Sequence, residues 1–281
     1  MTLLVFGKTG QVARELQALA PEAIFLGRDE ADLSDPETCA AAIRARRPSA
    51  VINAAAYTGV DKAEEEEDLA TLINGHAPGA MARTCADLDI PFVHISTDYV
   101  FDGLGTAPFA PTDSPAPLGA YGRSKLLGEE RVSASGAAHV ILRTSWVFSA
   151  HGTNFLKTML RLGAERDALS IVADQVGGPT PAGGIAQACL QTCAGLRKNR
   201  EKTDIYHYSG APDVSWADFA RHIFACAGFA VAVEDIPSSA YPTPARRPAN
   251  SRLDCASLWS EFGISRPDWK AATREIVEGL T

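Results

Sequence analysis

The 281-residue sequence predicts an α/β fold: a doubly wound parallel sheet with a smaller, interleaved C-terminal domain. Three observations predict it. Short aliphatic or β-branched runs alternate with segments of helical period through the first half of the chain. The runs are almost continuously apolar, as strands covered on both faces must be. A glycine-containing turn joins the first run directly to the first helical segment.

The elements follow in order. "TLLVFG" (2–7) is a strand, and "QVARELQALA" (11–20) a helix with apolar positions 12, 16 and 19 on one face. "AIFLG" (23–27) is the second strand, "PETCAAAIRARR" (36–47) a helix and "SAVINAAAY" (49–57) the third strand. A long helix spans 69–89, "IPFVHIST" (90–97) is the fourth strand, a helix opens around Tyr121, and "AHVILRTSWVF" (138–148) is the fifth strand. Beyond 148 the alternation loosens. Residues 154–167 and 180–196 are helical, 169–175 and 204–210 strand-like, and 215–228 a helix capped by Ser215. Residues 238–253 form a proline-rich loop. The expected division is a dinucleotide-binding domain over 1–148, rejoined by elements near 179–209, and a mainly substrate-binding part over 149–281. The acidic run Glu64–Asp68 reads as a solvated first turn, favourable against the helix dipole.

Bulk properties narrow the function. A net charge of −8 disfavours sequence-independent nucleic-acid binding, which needs basic surface to displace counterions. No secretory leader and no apolar stretch of membrane-spanning length is apparent, so a cytoplasmic protein with no membrane partner is expected. The six cysteines form no C-x-x-C and keep no histidines at zinc-binding spacing, so reduced, packed thiols are expected.

"VFGKTGQVAREL" reads G-x-x-G-x-x-A. Gly7 makes the tight turn, Gly10 lets backbone approach a pyrophosphate, and Ala13 permits close helix–strand packing. The pyrophosphate would sit on free N–H groups at the helix N-terminus, which makes this a Rossmann-type dinucleotide site. At the end of the second strand, where a carboxylate would grip the ribose of NAD, stands Gly27. Arg28 follows and could meet a 2′-phosphate. This favours NADPH, with Asp29 leaving NADH open.

"AYGRSKLLGEE" (120–130) sets Tyr121 and Lys125 one helical turn apart, a spacing that by itself is common on surfaces. The fourth strand ends in Ser96, Thr97 and Asp98, at the sheet edge where such folds bind ligands. Together these residues suit ketone reduction. Hydride transfer to a carbonyl leaves an alkoxide, and a phenol supplies the proton if a nearby ammonium stabilises the phenolate. Thr97 could hold the carbonyl oxygen.

With these stretches, and with "VINAAAYTGVDKAE", "RTSWVF", "NFLKTMLRL", "DQVGGPT" and "AYPTPARRPANSRL", the chain resembles the extended short-chain dehydrogenase/reductases, and among them the dTDP-4-dehydrorhamnose reductase family, over nearly its whole length. The resemblance implies Tyr121 as proton donor and Lys125 as its partner, also holding the nicotinamide ribose. It implies Thr97 and Asp98 at the reacting carbonyl and Trp146 against sugar or nucleotide. Gly10, Gln11 and Val12 would line the pyrophosphate, Asp32 and Leu33 the adenine, and Ala56, Tyr57, Thr58 and Ile95 the rest of the cofactor. Arg247 and Arg252 are candidates for the nucleotide diphosphate. The implied substrate is a nucleotide sugar.

The resemblance also admits a homodimer, magnesium-linked in some members through two glutamates. Glu15 matches the first, whereas "TPAGGIA" supplies no second, and one carboxylate is a weak magnesium site. Alternatives remain. A 4,6-dehydratase would carry an acidic residue where Tyr99 stands, which disfavours it, whereas an epimerase is harder to exclude. A non-catalytic NADP-binding regulatory subunit is disfavoured by the retained Thr97, Tyr121 and Lys125.

Overall fold

The computed structural model describes residues 2–280. A six-stranded sheet runs through the molecule. Its strands are β1 (Leu3–Phe6), β2 (Ile24–Leu26), β3 (Ala50–Asn53), β4 (Phe92–Thr97), β5 (His139–Thr144) and, after four strands that lie outside this sheet, β10 (Asp204–His207). The order is β10-β5-β4-β3-β1-β2 and every pairing is parallel. From β1 the chain winds first to one side, to β2, and then to the other, to β3. A topological switch point therefore lies between β1 and β3.

Side-chain alternation along β1 shows why both faces must be covered. Leu4 and Phe6 point into one apolar cluster with Ile43, Met81, Cys85 and Phe92, beneath helices α2 (Pro36–Arg46) and α4 (Ala77–Asp87). Val5, between them, points into the opposite cluster with Ile52, Val93 and Leu142. That second face is covered by α1 (Gln11–Leu19), through Val12 and Leu16, and by α7 (Ala182–Lys198), through Ile185, Cys189 and Cys193. All six cysteines are free, and five are buried.

Several element boundaries differ from expectation, each for a local reason. The third strand stops at Asn53 rather than 57, because the Asn53 carboxamide accepts the Ala55 N–H (3.1 Å) and turns the chain out of the sheet. The helix expected over 69–89 begins as α3 (Glu67–Thr71) and passes through a π-helical turn (Leu72–His76) before α4. The turn sets Asn74 so that its carboxamide clasps the Tyr57 backbone (2.8 and 3.0 Å) and the Ser124 hydroxyl (3.0 Å). The fifth strand ends at Thr144 rather than 148. Trp146 takes a left-handed conformation (φ 49°), and β6 (Val147–Phe148) pairs instead with β9 (Thr180–Pro181).

The acidic run is not simply a solvated turn. Glu64 accepts the Ala120 N–H (2.9 Å), Glu66 accepts the Tyr57 hydroxyl (2.8 Å), and Glu67 pairs with Arg123 (2.7 and 2.9 Å). These contacts tie the loop after β3 to the start of α5 (Ala120–Ser133).

A separate apolar cluster organises the C-terminal part. Phe148, Leu156, Phe219, Phe224, Trp269 and Val277 pack helices α6 (Phe155–Glu165), α8 (Trp216–Ala227) and α10 (Trp269–Leu280) together, with α9 (Ala256–Phe262) returning to the main sheet through Leu258. Strand β7 (Ala168–Val172) pairs in parallel with β12 (Ala232–Ile236). The shorter β8 (Val176–Gly177) lies between β11 (Val214–Ser215) and β13 (Asn250–Ser251). The proline-rich segment thus ends in a strand. Among the described residues, no helix is long and apolar enough to cross a membrane.

Candidate active site

A cleft of about 1210 Å³ opens over the C-terminal ends of the sheet strands and spans the switch point. One end is built from the glycine loop. Gly7 has φ 114°, and a Cβ there would stand 3.2 Å from the Ala54 backbone, so close passage of the loops after β1 and β3 requires glycine. Gly10 caps α1 and has nothing within 4 Å of its would-be Cβ, which leaves the helix N-terminus open to the cleft. Gln11 and Val12 follow on the same wall. Gln11 Oε1 accepts from Ser149 Oγ (3.0 Å) and Asn154 Nδ2 (2.8 Å), and Asn154 also caps α6. The geometry fits a pyrophosphate-bearing dinucleotide.

Beyond β2 the wall carries Arg28, Asp32 and Leu33. Asp32 accepts the Ser34 N–H (2.9 Å), and that bond is the main cause holding its carboxyl below the usual range. The place of the missing side chain at Gly27 is taken by Asp29, whose Oδ1 lies 2.6 Å from where a Cβ would be. Arg28 and Asp29 both line this part of the cleft. Ala56, Tyr57 and Thr58 line the opposite lip, and Ile95 the floor.

At the other end Thr97, Asp98, Tyr121, Lys125 and Trp146 converge. Thr97 Oγ1 donates to Asp98 Oδ1 (3.1 Å) and accepts the Tyr99 N–H (3.2 Å). Asp98 is buried and its Oδ2 has no hydrogen-bond partner of good geometry in the chain. Burial pushes its carboxyl up to about 6, against the lowering effect of the Ser251 and Thr97 hydroxyls. Tyr121 is pushed up to about 12, first by burial and then by the Asp98 carboxylate, with the Thr97 hydroxyl pulling it down. Its ring meets Tyr99 edge to face at 5.5 Å.

Lys125 follows Tyr121 by one turn of α5 and lines the same end of the cleft. Its Nζ donates to the Ile95 carbonyl (2.6 Å) and lies 3.3 Å from His94 Nε2. Burial holds it down to about 8, and Glu129 works against that lowering.

Trp146 is both packed and placed. Its indole stacks on Trp216 with centroids 3.5 Å apart, and Gly177 leaves room for it, since a Cβ there would sit 3.0 Å from the indole Cε2. Its half-buried edge lines the cleft.

Three candidates are not brought to the cleft. Arg247 forms a two-pronged pair with Asp61 (3.0 and 3.1 Å) and so is already matched to a carboxylate. Arg252 donates to Asn250 Oδ1 (3.0 Å). Glu15 lies one turn along α1 from Gln11, 3.8 Å from His151 and beside Gly183. Among the described residues, no three His, Cys, Asp or Glu side chains gather as metal ligands, so nothing in the structure supports a magnesium site at Glu15.

His94, Asn53 and Asn154 were not singled out from the sequence, and Glu64 was read only as part of a solvated turn. A histidine inside the apolar run "FVHIS" and an asparagine ending "AVIN" are the signals for the first two, because buried polar groups need partners.

Residues 1–281 match the family model described as the RmlD substrate binding domain. A Sinorhizobium fredii protein named dTDP-4-dehydrorhamnose reductase is 45% identical, over 100% of this chain and 98% of its own. The chain belongs to the dTDP-4-dehydrorhamnose reductase family. Its fold agrees. The crystal structure of a dTDP-4-dehydrorhamnose reductase from Clostridium acetobutylicum superposes with a TM-score of 0.93 at 35% identity, covering 100% of this chain and 99% of the other. That of the family member from Bacillus anthracis, in complex with NADP, gives 0.91 at 31% identity and covers 99% of each.

Proposed function

We propose that this protein reduces the C4 ketone of dTDP-4-dehydro-β-L-rhamnose to give dTDP-L-rhamnose, with NADPH as reductant. The observation that carries the reading is the convergence of Thr97, Asp98 and Tyr121 at one end of a cleft whose other end is an open glycine loop. The names of the relatives support the substrate class, and the NADP in the Bacillus anthracis structure supports the cofactor.

Gly7, Gly10, Gln11 and Val12 would hold the pyrophosphate, with Asp32 and Leu33 at the adenine. Ala56, Tyr57, Thr58 and Ile95 would carry the rest of the cofactor toward Lys125. When bound, the reduced nicotinamide supplies a hydride to C4. Thr97 Oγ1 then orients the C4 oxygen, and Tyr121 donates its phenolic proton to that oxygen as negative charge develops on it. A phenol pushed up to about 12 stays protonated at neutral pH, so it is loaded before each turnover and can protonate the strongly basic alkoxide that forms. Trp146 would flank the sugar. In this division of labour residues 1–148 bind mainly cofactor and 149–281 mainly substrate.

Loss of NADPH absorbance with dTDP-4-dehydrorhamnose tests the reading. Turnover is expected, with NADPH favoured over NADH, and Arg28→Ala is expected to cut that preference by roughly tenfold, the scale of a charge-assisted contact. An epimerase regenerates its cofactor and consumes no NADPH, so product formation without absorbance loss would replace this reading. An NADH preference in the wild type would contradict the role given to Arg28.

A further inference from the structure

The segment "DQVGGPT" (174–180) converges on Trp146 from several sides. The Trp146 carbonyl accepts the Thr180 N–H (3.1 Å), and Ser145 Oγ donates to the Gly178 carbonyl (2.9 Å). Gly177 leaves space for the indole. One broad face of that indole is covered by Trp216, their planes 10° apart, and Phe155 packs against Trp216 in turn, with centroids 4.6 Å apart. Gln175, buried, holds Trp216 by its edge. The indole N–H can only donate, so the carboxamide oxygen of Gln175 faces it (3.1 Å) and the NH2 faces Ser238 Oγ (2.9 Å). Ser238 Oγ then donates to Asp174 (2.5 Å), so every polar group in this chain is matched.

Two features show that the tryptophan pair is imposed by its surroundings. Trp146 is left-handed, with φ 49°, a conformation that is costly for a bulky side chain and persists only where neighbours over-determine it. The two indoles, nearly parallel with centroids 3.5 Å apart, stack with almost no offset. Aromatic quadrupoles favour offset or edge-to-face pairs with centroids about 4.5–7 Å apart, so the rings do not choose this arrangement by themselves.

We propose that Gln175 and Trp216 are positioning residues for substrate binding. Gln175 fixes the plane of Trp216, and Trp216 fixes the plane of Trp146, whose uncovered surface lines the cleft. On the reductase reading, on which the identity of the ligand rests, the sugar nucleotide meets an indole that is already oriented. Little ordering of that wall is then left to binding, which is how preorganisation raises affinity.

Fluorine NMR of the full-length protein carrying 5-fluorotryptophan reads the ring directly, since the chain has four tryptophans and each line is assignable by replacing that residue with Phe. In the free wild type the Trp146 line is expected to be single and narrow, and to move on titration with dTDP-L-rhamnose. Gln175→Met removes the acceptor for the Trp216 N–H. It is expected to shift or broaden the Trp146 line while leaving that of Trp259 in place. It should also weaken dTDP-L-rhamnose binding roughly fivefold to tenfold, the scale of one aromatic contact, with NADPH affinity within about twofold of wild type. A role confined to stability would lower the melting temperature and move neither the line nor the affinity. A Trp146 line unmoved by Gln175→Met, or equal dTDP-L-rhamnose affinity in variant and wild type, overturns the proposal. So does a doubled or broad wild-type Trp146 line, which needs no folded variant. Neither the line nor the titration requires turnover. A wild type that binds dTDP-L-rhamnose and consumes no NADPH would therefore sink the reductase reading and leave the positioning role standing.

Discussion

Asp98 carries a stability penalty at neutral pH that its proposed place at the reacting carbonyl would account for. A carboxylate with an unpartnered oxygen in a buried site costs free energy that a protein of this size would not otherwise retain. Its folded-state value of about 6 lies above the ordinary 3.8, so the folded protein binds this proton more tightly than the unfolded chain. The cost is absent below the ordinary value and complete above about 6. At roughly 1.4 kcal/mol per unit it reaches at most about 3 kcal/mol at neutral pH. Asp98→Asn is therefore expected to melt several degrees higher than wild type at pH 8 while losing activity, with the gain vanishing at pH 4. Equal gains at both pH values would show that the carboxylate charge is not the cause. At this scale Tyr121, Lys125 and Thr97 were legible because their pattern is local, four residues on a helix and one strand end. The contact of Lys125 with His94, and through it with Asn53, was not, because these residues lie 31 and 72 residues away in sequence and meet each other only across paired strands. The pairing of Arg247 with Asp61 was illegible for the same reason, the carboxylate being 186 residues distant.

Helix α5 presents Tyr121 in its first turn, and contacts at both ends hold it there. At the far end Glu129 anchors it to Arg143 of β5. At the near end Glu64 caps it from another loop by accepting the Ala120 N–H, and a Cβ on Gly119 would stand 2.4 Å from that carboxylate oxygen. The cap satisfies one of the helix's free donors and puts negative charge at the positive end of its dipole. Glu64→Ala is expected to cost about 1 kcal/mol, typical of a lost cap, and to lower kcat while leaving cofactor affinity near wild type. Glu64→Gln keeps the accepting oxygen and should restore most of the rate. If Gln behaves like Ala, the contact is not acting as a cap. The acidic run was legible as a helix start but not as a clamp, since composition does not reveal which helix a carboxylate reaches. Strand β12 went unread because its Glu234 and Asp235 face outward and dilute the apolar pattern.

For the whole molecule, the doubly wound sheet was legible because the strands from β1 to β4 are largely apolar on both faces and each is followed by a helical segment. The C-terminal part was less so. Its strands are short, its core is built largely from α6, α8 and α10, and Trp146 breaks β5 at the point where the chain leaves the sheet. The two parts meet at the cleft. Gln11 on the glycine loop is held by Ser149 and Asn154 at the threshold of α6, and Trp146 reaches across to Trp216. At the end of this cleft Tyr121 is proposed to deliver the proton. Tyr121→Phe removes that proton while keeping the ring against Tyr99. NADPH consumption with dTDP-4-dehydrorhamnose should fall by roughly 100-fold or more, the scale of a lost general acid, with NADPH affinity within a few-fold of wild type. A variant that retains most of the wild-type rate would contradict the assignment.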